Sequence, residues 1–106
     1  MGDAPEKPDP KGFIYLSKKL IGDKLGESNI PIAYVGDTIA DINTVINARK
    51  EIPSQKFISI GIAPPHLHLN SRLKERNSYE TNLRNAGADL ILNSIYDLED
   101  IDLDLF

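Results

Sequence analysis

The sequence predicts an α/β fold built on a parallel sheet, and three observations carry that expectation. Three short apolar runs, at residues 30–35, 56–63 and 88–93, have the length and composition of strands buried on both faces. The stretches between them, 38–51 and 71–86, place apolar residues at helical spacing instead of alternating them. Strands separated by helices of this length need crossover connections, which pair the strands in parallel with a right-handed turn.

Taken in order, residues 1–10 carry Pro5, Pro8 and Pro10, which fix φ and push their predecessors towards extended backbone, so this stretch is expected to be an irregular lead-in. A helix follows over 11–21, where Phe13, Ile14, Leu16, Leu20 and Ile21 fall largely at helical spacing and Pro10 suits the first turn. Gly22 and Gly26 then punctuate a polar turn. The first strand, 30–35, is bounded by Asn29 and Gly36. The crossover helix 38–51 carries Ile39, Ile42, Val45, Ile46 and Ala48 on one stripe and is closed by Pro53. The second strand, KFISIGIA at 56–63, stops at Pro64 and Pro65, which cannot continue a central ladder. Residues 71–86 form a mainly polar helix with Leu73, Tyr79 and Leu83 as sparse anchors, ending at Gly87 as a C-cap. The third strand is ADLILN at 88–93, and the acidic tail from Tyr96 adds a last helical turn. The expected organisation is therefore a lead-in over 1–10 and one domain over 11–106, a Rossmann-like parallel sheet of three layers with helices on its faces. Ligands in such sheets sit beyond the carboxyl ends of the strands, here 36–41, 64–68 and 93–97.

Composition narrows the function. With 106 residues, 41% apolar and 26% charged, the chain suits one compact soluble domain. The net charge of −4 and the absence of a basic stripe argue against nucleic acid as a partner; Arg72, Lys74 and Arg76 have Glu75 among them and read as a solvated helix face. No apolar run approaches the length of a membrane span, and no targeting signal is recognisable. The lack of cysteine excludes disulfides, thiolate zinc sites and a cysteine nucleophile, and fits a cytoplasmic protein.

The most informative stretch is AYVGDTIADI at 33–42. An apolar strand runs into Gly36 and Asp37, and Asp41 follows in the first turn of the next helix. Gly36 lets the backbone turn, and residues four apart at a helix start project to one side, so Asp37 and Asp41 can converge. Hard oxygen ligands at a strand end suit Mg²⁺, which takes one or two protein carboxylates and completes its octahedron with water and substrate phosphate. The plainer reading is that Asp37 caps the helix and Asp41 favours its positive end. His66 and His68 in PPHLHL would point the same way on an extended strand, but no third ligand is near in sequence, and a loop at the mouth of the cleft is the expected role.

AYVGDTIADI resembles the fourth motif of the haloacid dehalogenase superfamily, in which an apolar strand runs into Gly-Asp with a second Asp four residues later. Upstream, EKPDPKGFIYLSKKL is similar to that family's third motif, a Lys-Pro-x-Pro lead-in to a helix. Downstream, KFISIGIAPP and NAGADLILNSIYDL resemble the fifth and closing strands of the same core. The resemblance implies that Lys7 offsets charge on a phosphoryl group, that Asp37 assisted by Asp41 holds Mg²⁺, and that Gly36 and Thr38 lie against a phosphorylated small molecule. Phosphoryl transfer is mostly positioning plus stabilisation of spread negative charge, which a cation and a metal supply. The family's nucleophile, in an Asp-x-Asp motif, and its Ser or Thr motif both precede the Lys motif, and neither is found before Lys7. Asp102, Leu103 and Asp104 repeat the Asp-x-Asp pattern, but residues 98–101 are too acidic for a buried strand, so these belong to an acidic tail. Two functions follow as expectations: a half-core of a Mg²⁺-dependent phosphatase, inactive alone and partnered by the missing amino-terminal half or by self-association, or a non-catalytic binding or assembly module on the same scaffold.

Overall fold

A computed structural model describes residues 9–26, 30–93 and 101. The elements run α1 (Lys11–Ile21), β1 (Ile32–Gly36), α2 (Ile39–Glu51), β2 (Phe57–Ile62), α3 (Leu73–Ala86) and β3 (Leu90–Leu92), with short 3-10 turns at Gly22–Lys24, Pro65–His68 and Asn70–Arg72. The sheet is parallel throughout, in the order β1-β2-β3. Ile32 lies opposite Phe57 and Ile60 opposite Leu90.

The register divides the side chains between two faces. Phe57 packs with Phe13, Ile32, Val45 and Ala48 under α1 and α2. Four positions on, Leu83 of α3 closes over Gly61. All three helices therefore lie on the face carrying the odd-numbered residues of β2. Two crossovers of one hand that step the same way across a sheet must share a face, which accounts for α2 and α3; α1, which precedes β1, is held there by Phe13. Ile58 and Ile60 point to the other face, where they pack with Leu92, Ala33, Val35, Ile62, Leu90 and Ile101. Among the described residues no helix lies on that face, where a three-layer sheet would carry its second helical layer. Nearly all of the 1–10 lead-in and the acidic tail lie outside the described residues.

Local chemistry sets the boundaries. Pro31 has no N–H to give a ladder, and β1 starts one residue after it. β3 begins only at Leu90 because the Asp89 carboxylate accepts the Ser59 N–H at 2.8 Å and is itself paired with Arg49, which also donates to the Phe57 carbonyl at 2.9 Å. Gly87 ends α3 at φ 120°, a conformation strained for any residue with a Cβ. In α1 the buried side chains are Phe13 and Ser17, whose hydroxyl donates to the Phe13 carbonyl at 2.9 Å, while Leu16 and Leu20 are exposed. The expected apolar stripe is thus rotated: the helix turns Phe13 and Ile14 to the core. Residues 65–68, expected to be a loop at the mouth of the cleft, form a 3-10 turn and not the extended segment on which His66 and His68 would share a side. Among the described residues, no helix is long and apolar enough to cross a membrane.

Candidate functional site

The carboxyl ends of β1 and β2 open into a cleft of about 600 Å³, walled by Tyr34, Val35, Gly36, Asp37 and Asp41 on one side and by Ile62 to Pro65 with His68 on the other. The position is the one expected for a ligand in a parallel α/β sheet. Its polar groups are few. His68 is tied by Nε2 to the Ala63 carbonyl at 2.7 Å, and His66 is exposed away from the cleft.

The loop from β1 to α2 is organised around Asp41. Its Oδ2 accepts the N–H groups of Asp37 and Thr38, both at 3.1 Å, and the Thr38 hydroxyl at 2.9 Å. In return the Thr38 Oγ1 accepts the Asp41 N–H at 3.1 Å, completing a capping box with Thr38 as N-cap. The Tyr34 hydroxyl donates to Oδ1 at 3.0 Å. Asp41 is only 3% exposed, so these donors are what allow a carboxylate to sit there. Gly36 makes room for it: a Cβ on Gly36 would lie 2.5 Å from Asp41 Cγ and 2.6 Å from Oδ2.

This arrangement separates the two carboxylates. Asp41 turns inward and is used by the fold. Asp37, half-buried at the rim, has no hydrogen-bond or ion-pair partner for its carboxylate among the described residues, and its backbone is held on both sides. Asp41 takes its N–H, and the Tyr79 hydroxyl from α3 donates to its carbonyl. Burial, and then the negative charges of Asp37 and Asp41, raise the Tyr79 phenol above its ordinary value of 10.0. At the start of α2, Asp41 and Thr38 thus take the N–H groups of Asp37, Thr38 and Asp41, and the Thr38 hydroxyl is engaged within the loop.

Of the residues singled out in the sequence, Gly36, Asp37, Thr38 and Asp41 meet in this loop, and Lys7 lies outside the described residues, as do Asp102 and Asp104. Tyr34 and Tyr79 complete the site without a motif to announce them. The signal for Tyr34 was a hydroxyl in an otherwise aliphatic strand. As a metal site the loop fits in one respect: Asp37 offers one open oxygen donor, in keeping with the sparse protein ligation of Mg²⁺, while Asp41 fits as its support. Among the described residues no group of three or more His, Asp or Glu converges. No family model matches the chain, and comparison with curated proteins and with solved structures gives no match.

Proposed function

We propose that this chain is the carboxy-terminal half of a haloacid-dehalogenase-type phosphatase core, acting with Mg²⁺ on a phosphorylated small molecule once a nucleophilic aspartate is supplied from outside this sequence. One observation carries the reading: Asp37 stands at the carboxyl end of β1, in the cleft, with its backbone clamped and its carboxylate open. A clamped, uncommitted carboxylate is a metal ligand that needs no rearrangement to bind. Mg²⁺ would supply charge neutralisation for the phosphoryl group. In this reading Asp37 ligates, Asp41 and Thr38 hold the loop, Gly36 admits Asp41 beneath the strand end, and Lys7 contributes a cation. The missing amino-terminal half, or a second copy, lies along β1, and the complete core is a three-layer Rossmann-like sheet.

The test is an amide-resolved titration of the chain with Mg²⁺. Shifts confined to residues 36–41, saturating more weakly than micromolar (less than about 8 kcal/mol of binding) and lost in Asp37→Asn, are expected. Absent or Asp37-independent shifts overturn the reading, and micromolar affinity contradicts a site that draws its other ligands from elsewhere. The alternative, a non-catalytic binding or assembly module, is favoured by Asp41: its hydrogen bonds to Tyr34, Asp37 and Thr38 explain the second carboxylate by folding alone.

A further inference from the structure

We infer that Tyr79 is the positioning residue for Asp37, so that helix α3, far along the chain, sets where the candidate metal ligand points; the inference rests on the metal-site reading above. The direction of the Asp37 side chain is fixed by the two peptide planes that flank its Cα. The first, between Gly36 and Asp37, is held by Asp41 through the Asp37 N–H at 3.1 Å. The second carries the Asp37 carbonyl and the Thr38 N–H. Asp41 holds the N–H edge at 3.1 Å, and the Tyr79 hydroxyl holds the carbonyl edge. Two of these four edges are held by Asp41 within the loop, whereas the tether on the Asp37 carbonyl comes from a distant element, 42 residues away.

The surroundings of Tyr79 make α3 common to the whole rim. One turn earlier Arg76 donates to the Asn93 carbonyl at 3.0 Å, just past β3. Tyr79 also borders, with Leu67 and Ser78, the groove between α3 and the 3-10 turn that follows β2. The first half of α3 thus touches the carboxyl ends of all three strands, and a shift of α3 is transmitted to Asp37 through one hydroxyl. Tyr79 touches no reacting group in this scheme; it acts through Asp37.

The experiment uses Mn²⁺ as the probe, because its relaxation of nearby amides reads weak binding. In the unmodified chain Mn²⁺ should broaden the amides of residues 36–41, and Asp37→Asn should abolish this; failure at this stage refutes the metal-site reading itself. Given Asp37-dependent binding, Tyr79→Phe keeps the ring and removes the donor, and should weaken Mn²⁺ binding about fivefold, the equilibrium equivalent of one neutral hydrogen bond. Ile58→Val, on the opposite face of the sheet, trims stability without touching the loop and should leave Mn²⁺ binding unchanged. Wild-type affinity in Tyr79→Phe, or an equal loss in Ile58→Val, overturns the inference while leaving the metal site standing. If Tyr79→Phe does not fold, 3-fluorotyrosine placed at position 79 alone gives a stronger donor in the same frame. Affinity should then rise, and an unchanged or lower affinity overturns the inference.

Discussion

Gly36→Ala tests whether the second Asp of the motif dictates the glycine. The backbone at Gly36 is ordinary extended strand, so alanine is not excluded by φ, and any cost must come from contact. The added Cβ would sit 2.5 Å from Asp41 Cγ and 2.6 Å from Oδ2, and opening those gaps to van der Waals separation requires a movement of about 1 Å. Overpacking of this kind costs about 1–3 kcal/mol. If Asp41 yields instead of the strand, the capping box goes, at about 1 kcal/mol, together with charge-assisted bonds from Asp37 and Thr38 worth about 1.5–3 kcal/mol in favourable cases. These losses are alternatives more than sums, and a net destabilisation of about 3 kcal/mol is expected, or about 12 °C in Tm for a chain of this size. Urea denaturation followed by circular dichroism measures it. The decisive arm is a double-variant cycle with Asp41→Gly, which removes both the clashing atoms and the carboxylate. The cost of Gly36→Ala should fall by at least about 1 kcal/mol in that background. An equal cost in both backgrounds, or one below about 0.5 kcal/mol in the wild type, refutes the coupling.

Two further predictions concern pH and the sheet edge. Because the Tyr79 phenol is raised in the folded state, its proton is held there after the unfolded chain has lost its own; the associated stability is complete below about pH 10 and disappears as pH rises through the folded value. Denaturation between pH 9 and 11 should therefore show a steeper loss in the wild type than in Tyr79→Phe, and parallel slopes would contradict this. At the edge, the Ile32 N–H bonds the Lys56 carbonyl, so by strand parity the peptide groups of Ala33 and Val35 face away from β2. No charge, proline or bulge within β1 guards that edge, so the chain should self-associate with rising concentration, and Ala33 and Val35 amides should gain protection from exchange as it does. A constant sedimenting mass, with both amides strongly protected at every concentration, would rule it out.

The sequence was most informative where one residue type had one physical use. Pro10, Pro53, Gly87 and the two prolines at 64 and 65 marked element boundaries that the structure repeats within a residue or two, because a missing N–H or a positive φ leaves few options. It was least informative where two stripes competed. In α1, Leu16 and Leu20 fit a helical stripe as well as Phe13 does, but a ring packed against Tyr34 and Phe57 selects the face, and Ser17 is buried because its hydroxyl is satisfied by its own helix. His66 and His68 would share a side only on an extended segment, and Pro65 starts a 3-10 turn instead. Tyr79 was visible as an anchor of a polar helix, yet its partner is a backbone carbonyl, and a carbonyl leaves no trace in a sequence.

The spacing of the loop then has a physical reading that does not depend on any resemblance. A strand end, a helix start and a turn of two residues leave several peptide donors with no ladder or helix partner. An acceptor three residues into the helix reaches back to them, and a carboxylate satisfies several at once; a shorter or neutral side chain would leave some unmet. That acceptor has to lie against the last strand residue, which admits only glycine. Once Asp41 has taken this task, the residue after the glycine has its backbone fixed and its side chain directed away from the fold, towards the cleft. The fold's demands end at Asp41, Thr38 and Gly36. An aspartate at position 37 contributes nothing to them through its carboxylate, and that is why its chemistry is to be sought in what enters the cleft.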